Sequence, residues 1–230
     1  MADKRIDYVS VVYNEVDRPL TSYPKKLTRY LFERFNIQSG DKLLDVGCGR
    51  GEFLAGFIDQ GVNGYGVDQS IAAKHYCPQA ILKISDIEID GIPYEDNFFD
   101  VVYSKSVIEH FYYPERMISE VYRVLKPGGL AIILCPDWTY NYRIYFEDYT
   151  HRTPFMSSSL RDILLIHGFD SVKVQKFRQL PILWGNYGKY LFPLAEITRL
   201  LIPSIFKSSS KWVRFSKEVM LLSASYKPHV

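Results

Sequence analysis

Between residues 42 and 178, short apolar runs alternate with stretches whose apolar residues recur every three or four positions. The runs at 42–46, 64–68, 80–84, 99–103 and 130–135 read as strands, and the stretches at 52–60, 114–126 and 158–167 read as helices. The clearest helix is 114–126, where Met117, Ile118, Val121, Val124 and Leu125 make one buried stripe. Glu115 in its first turn and Lys126 in its last suit the helix dipole, and Pro127-Gly128 stops it. Leu160, Ile163 and Leu164 face inward on 158–167, with Gly168 as the stop. An earlier helix, 24–35, starts at Pro24 and carries Leu27, Tyr30, Leu31 and Phe35 on one side. Two more strands are predicted at 171–177 and 217–226.

Alternation of this kind gives an α/β, doubly wound architecture: a mostly parallel, seven-stranded sheet with helices on both faces. The fully apolar run 130–135 and the pair Leu43-Leu44 suit strands covered on both sides. Residues 1–40 form an N-terminal helical extension or cap, and 41–178 with 215–230 form the main domain. The stretch 179–214 breaks the pattern. It is rich in Trp184, Tyr187, Tyr190, Phe192, Leu200, Leu201, Phe206 and Trp212, is cut by Pro181, Pro193 and Pro203, and reads as an insertion of one or two short helices.

Composition narrows the picture. The chain has 230 residues, 47% of them hydrophobic and 23% charged, which excludes a disordered or collagen-like protein. A net charge of +2 gives a nucleic-acid partner no support. Cys48, Cys77 and Cys135 lie far apart without a Cys-x-x-Cys pair, so neither a disulfide scaffold nor a structural zinc site is expected. The first residues are polar, with no signal-peptide core, and no run of 18 apolar residues exists. A cytoplasmic protein is expected, with peripheral membrane association through 179–214 as an option.

The sharpest local signal is 43–52, where a strand runs into Gly47, Gly49 and Gly51 and a helix begins at once. Such a loop sits at the carboxyl end of a strand, where open α/β sheets bind ligands, and its glycines let a ligand approach the backbone. Gly47-Cys48-Gly49 matches the first half of the dinucleotide fingerprint, but Glu52 stands at the third glycine position. A carboxylate there favours a ligand with an amino or sulfonium group over one with phosphates. The second strand ends in Asp68, placed to accept ribose hydroxyls. A positively charged nucleoside without phosphate fits both, and S-adenosylmethionine is such a molecule.

With these residues in hand, the chain resembles the class I S-adenosylmethionine-dependent methyltransferases, in the branch acting on small molecules and sugars. The stretch 45–51 resembles the family's first motif and 64–70 its second; Asp86-Ile87 resembles the adenine-contacting pair after the third strand. The stretch 98–104 resembles the fourth-strand motif, and 120–129, with Lys126-Pro127-Gly128-Gly129, the turn before strand five. The resemblance covers about 41–135 and implies a Rossmann-like fold with S-adenosylmethionine as cofactor. It further implies that Gly47 and Gly49, with Cys48 between them, border the methionine part, that Asp45 orients the loop or accepts from the amino group, that Asp68 holds the ribose and that Gln69 lies beside the adenine. Asp86 and Ile87 would bind the adenine edge and Ser104 would sit near the sulfonium. Tyr122 and Lys126 share the spacing of short-chain dehydrogenases, but the matching glycine motif is absent.

Past strand four, Glu109 and His110 lie at the same sheet edge, and past strand five comes a loop dense in rings: Trp138, Tyr142, Tyr145, Tyr149, His151 and Arg152. An acceptor hydroxyl must lose a proton, and His110 or His151 would be the base, with Glu109 beside them. Trp138, Tyr142, Tyr145, Tyr149 and Arg152 would hold the acceptor, a sugar or a phenol. Some relatives carry Glu-x-x-Glu-His here with a later His and bind a divalent metal. This chain keeps Glu109, His110 and His151 but has Ser106 at the first Glu position, and no metal is expected. The stretch 179–214 is expected to be a core or dimer contact, a lid, or an interfacial surface for a membrane or lipid-linked substrate, with Lys207, Lys211, Arg214 and Lys217 following its apolar part. The expected activity is O-methylation of a small molecule or glycan, as in polysaccharide biosynthesis. The alternatives are an N-methyltransferase, a non-catalytic cofactor-binding subunit, and a nicotinamide-dependent oxidoreductase.

Overall fold

The computed structural model describes residues 19–185, 188–202 and 210–229. A seven-stranded sheet forms its centre, in the order β3-β2-β1-β4-β5-β7-β6. Its strands are β1 (Lys42–Val46), β2 (Asn63–Asp68), β3 (Ile81–Ile84), β4 (Phe99–Lys105), β5 (Leu125–Pro136), β6 (Asp170–Arg178) and β7 (Val219–Tyr226). β7 runs antiparallel between β5 and β6, while β1 to β5 pair in parallel. The order reverses between β1 and β4, which opens a crevice at their carboxyl ends.

Alternate residues of each central strand feed two separate cores, as the period-2 geometry of a strand requires. On one face Leu44, Val46, Val102, Ala131 and Ile133 meet Met117, Ile118 and Val121 of α5 (Pro114–Val124) and Leu160 and Leu164 of α7 (Ser157–Ile166). On the other, Leu43, Val101, Tyr103, Leu130 and Ile132 meet Leu27 and Leu31 of α1 (Tyr23–Arg34) and Leu54 and Phe57 of α2 (Glu52–Ile58). Short helices α3 (Ala73–Tyr76), α4 (Ile87–Asp90) and α6 (Trp138–Asn141) follow β2, β3 and β5. The three cysteines are buried thiols with no disulfide between them.

Predicted boundaries move most at the end of the 114–126 helix and in the insertion. The helix expected over 114–126 ends at Val124, and Leu125 opens β5 by pairing with Phe99. Arg123, not Lys126, is the basic residue of its last turn. Pro127 has no N–H to continue the helical ladder, so the chain turns extended just before it. In the insertion, Pro193 does not cut the chain: it lies inside α8 (Gly188–Leu201). The next helix, α9 (Lys211–Lys217), runs past the expected edge at 214. The positions Tyr187, Pro203, Phe206 and Lys207 lie outside the described residues, as does most of 1–23.

α8 is amphipathic in an inverted sense. Tyr190, Leu194, Ile197 and Leu201 follow one face and are all exposed, whereas Glu196 turns inward to an ion pair with Arg178. Among the described residues, no helix is long and apolar enough to cross a membrane.

Candidate active site

The glycine loop is built by backbone conformations that favour glycine. Gly47, Gly49 and Gly51 have φ of +73°, +52° and +77°. At Gly47 a Cβ would lie 2.3 Å from Val107 Cγ2, so the segment after β4 packs directly on the loop. The N–H groups of Gly47 and Cys48 donate to the Val67 carbonyl at 2.8 and 3.3 Å, which ties the loop to the end of β2. There Asp68 receives the Gly49 N–H on Oδ2 at 2.7 Å and the Ser70 N–H on Oδ1 at 2.8 Å. These two bonds hold the Asp68 carboxylate in place at the carboxyl end of β2. Asp45 is buried beside it, and desolvation followed by the Asp68 charge pushes its carboxyl well above the usual range, with Lys105 opposing.

Beyond β3, Asp86 caps α4: its Oδ1 accepts from Glu88 N at 3.0 Å and Ile89 N at 3.3 Å. Those cap bonds use neither Asp86 Oδ2 nor the Ile87 N–H, the two groups expected to meet an adenine edge. Gln69 is exposed next to Asp68. Backbone loop, Asp68 and Asp86 thus follow one another along the carboxyl ends of β1, β2 and β3, a layout that fits an extended adenosyl ligand. An open groove of about 710 Å³ between α4 and α5 shares only Ile87 with this set, so it is a separate feature.

Three expected roles change. Ser104 is fully buried and its hydroxyl donates to the Val46 carbonyl at 3.0 Å, so its side chain latches β4 to β1 instead of facing a ligand. The Cys48 side chain is buried against Gly66, leaving only its backbone for the loop. Glu52 forms a 2.6 Å ion pair with Arg50, a residue the sequence reading passed over. Its charge is therefore compensated inside the loop, and the cation preference inferred from it loses its basis.

On the acceptor side, Ser106 takes φ +58° and turns the chain out of β4. A single 3-10 turn, Ile108–His110, then buries Glu109 and leaves His110 half-buried. The Glu109 carbonyl accepts from Arg152 N at 2.8 Å and Thr153 N at 3.1 Å, and the Thr153 hydroxyl donates to the Phe111 carbonyl at 2.8 Å. This stitching brings the loop after β5 back onto the turn after β4. The His110 and His151 rings come to 4.9 Å between centroids. Burial pushes the Glu109 carboxyl up to about 8, and burial followed by the neighbouring His151 lowers His110. The Thr150 hydroxyl lies 2.9 Å from His110 Nδ1 and donates to Asp148 Oδ1 at 2.5 Å. Sequence reasoning missed Asp148 and Thr150; the Asp-x-Thr spacing of a side-chain-to-backbone turn was the available signal.

The aromatic loop divides. Tyr145 is buried, donates its hydroxyl to the Thr153 carbonyl at 2.7 Å and packs on His151 at 4.4 Å, so it positions the histidine instead of facing an acceptor. Trp138 packs edge-on against Tyr145 at 5.2 Å. Tyr142 and Tyr149 are exposed, and the Arg152 guanidinium lies over the Tyr112 ring at 5.0 Å. His167 closes α7 on the Ile163 carbonyl at 2.7 Å, and His75 packs on Tyr76, outside the cluster.

Residues 44–133 match the family model described as a methyltransferase domain. An uncharacterized methyltransferase of Mycobacteroides abscessus is 37% identical over 106 residues, covering 43% of this chain and 41% of that protein. The chain spans about two fifths of the length of that relative. Among solved structures, a chain of the complex between the Haloferax volcanii Trm112 methyltransferase activator and a methyltransferase superposes with a TM-score of 0.74 at 17% identity, covering 99% of this chain and 100% of that one. A Haemonchus contortus phosphoethanolamine N-methyltransferase, solved with phosphomonomethylethanolamine and S-adenosylhomocysteine, superposes with a TM-score of 0.62 at 19% identity, covering 88% of this chain and 52% of that one. These likenesses establish the seven-stranded, Rossmann-like methyltransferase fold.

Proposed function

We propose that this chain, whose residues 44–133 match the methyltransferase domain family, is an S-adenosylmethionine-dependent methyltransferase that methylates a hydroxyl of a small-molecule or glycan acceptor. The observation that carries the reading is the glycine loop pinned to Asp68 through the 2.7 Å bond from Gly49 N, at the point where the strand order reverses. Gly47 and Gly49 would border the methionine part, Asp68 would accept from the ribose, and Asp86 Oδ2 with the Ile87 N–H would meet the adenine. S-adenosylmethionine, when bound, supplies a methyl group already activated on its sulfonium. The protein is then left with positioning the acceptor and removing its proton.

The Glu109–His110–His151 cluster suits that second task. His110 is held neutral by burial, so a ring is ready to take a proton at pH 7. His110 or His151 would take the hydroxyl proton as the acceptor oxygen is methylated. Exposed Tyr142 and Tyr149, with Trp138 and Arg152, offer ring faces and donors to the acceptor. The phosphoethanolamine N-methyltransferase among the structural relatives favours a second reading, transfer to a small amine, which needs less help with its proton.

Formation of S-adenosylhomocysteine across a panel of sugars, phenols and small amines tests the proposal. Turnover with hydroxylated acceptors, falling at least 100-fold in His151→Ala or His110→Ala, is expected. Turnover confined to amines would overturn the O-methylation reading. Indifference to both histidine substitutions would remove the cluster from catalysis.

A further inference from the structure

Glu109, His110 and His151 each present one ligating atom, and these atoms lie within 4.8 Å of one another. Glu109 is 1% exposed, and neither of its carboxylate oxygens takes a hydrogen bond. Burying a carboxylate without a donor is costly unless a cation compensates it. The hydrogen bonds around the two rings fix their tautomers. His151 Nδ1 faces the Tyr145 carbonyl at 2.6 Å, and a carbonyl only accepts, so this nitrogen carries the proton. Thr150 spends its hydroxyl proton on Asp148, so its oxygen accepts from His110 Nδ1. Each imidazole therefore carries its lone pair on Nε2. The trio combines two imidazole lone pairs with a carboxylate that neither ring hydrogen-bonds.

We propose that Glu109, His110 and His151 bind a divalent transition-metal ion, with zinc as the reference case, on the acceptor side of the crevice. Two histidines and one glutamate form a complete protein donor set for a catalytic zinc ion, which keeps a further position open. Ser106, whose identity argued against a metal in the sequence, is not needed for that set. Asp148 acting through Thr150, and the Tyr145 carbonyl, are the outer partners that orient metal-binding rings. The functional consequence rests on the methyltransferase reading. Where bound, such an ion would supply Lewis acidity to an acceptor hydroxyl, and Glu109, His110 and His151 would hold it, the two rings then being ligands in place of the bases of the metal-free reading.

Metal-stripped protein is titrated with zinc chloride by calorimetry and with cobalt chloride by visible absorption, which reports the ligand field directly. S-adenosylhomocysteine is titrated into the same samples. One equivalent of metal is expected, with affinity reduced at least tenfold in both Glu109→Gln and His151→Ala, and about tenfold in Asp148→Asn. Thermal unfolding shows which variants are folded, and His151→Ala, at a half-buried loop position, decides the matter should Glu109→Gln not fold. No metal binding, or equal binding by wild type and His151→Ala, would overturn the site. S-adenosylhomocysteine binding without metal binding would overturn the metal and spare the methyltransferase reading. Metal binding without S-adenosylhomocysteine binding would do the reverse.

Discussion

Gly47 and Gly49 both hold positive φ, but a Cβ at Gly47 would strike Val107, while nothing lies within 4 Å of one at Gly49. Alanine at Gly49 should cost only the left-handed backbone penalty, about 1–2 kcal/mol. Alanine at Gly47 adds overpacking of roughly 1–3 kcal/mol and displaces the turn that carries Glu109 and His110. Chemical denaturation of the two variants should separate them in that order; equal losses would contradict the contact with Val107. Glycines in such a loop were legible from spacing alone, as was Asp68 at the end of β2. The inward turn of Ser104 was not, because a hydroxyl at a strand end reads the same whether it meets a ligand or the Val46 carbonyl. The Arg50–Glu52 pair was hidden for a related reason: a charge in a loop does not announce its partner.

At the level of elements, α5 does more than cover the sheet. Its Glu120 accepts from Ile92 N at 2.7 Å and from Arg123, and Arg123 donates to the carbonyls of Ile92 and Tyr94 and to Asp96. One helix thus anchors the segment that leads from α4 to β4. Arg123 holds the Glu120 carboxyl below its usual value of 4.5. A depressed carboxyl stabilises the fold above its unfolded pKa, and that contribution is lost as pH falls through the lower, folded value. The stability gap between wild type and Glu120→Gln should therefore be present at pH 7 and shrink toward pH 3 in thermal unfolding; a gap independent of pH would contradict the pairing. Helix and strand periods located every element of the sheet, since both cores follow those periods strictly. The end of α5 was misread by two residues because Leu125 satisfies the helical stripe and the strand equally well. Only its pairing with Phe99 decides between them.

Across the whole molecule, one residue ties both of the last two helices to the sheet. Arg178, at the end of β6, donates to the Ser216 carbonyl and to Glu196 of α8, with its guanidinium 5.1 Å from the Phe192 ring. Removing it leaves Glu196 with Arg199 alone and the Ser216 carbonyl without its donor, and should cost roughly 1–2 kcal/mol. In Arg178→Ala, hydrogen exchange should speed up across 188–201 while β1, β4 and β5 stay protected; uniform acceleration would show that α8 is integral to the core. The sequence left the apolar stripe of α8 open between a core contact and an exposed surface, because helical spacing reads alike in both, and the tertiary ion pair of Glu196 with Arg178 turns it outward here. The joining of Glu109 and His110 with His151 was equally out of reach, since it depends on backbone bonds between two loops 40 residues apart. An adenosyl site at the β1–β4 crevice predicts the outcome of one calorimetric titration, of wild type and Asp68→Ala with S-adenosylhomocysteine beside NAD. Micromolar binding of S-adenosylhomocysteine alone, lost in Asp68→Ala, is the predicted result. Absence of binding by wild type, or binding of NAD instead, would contradict it.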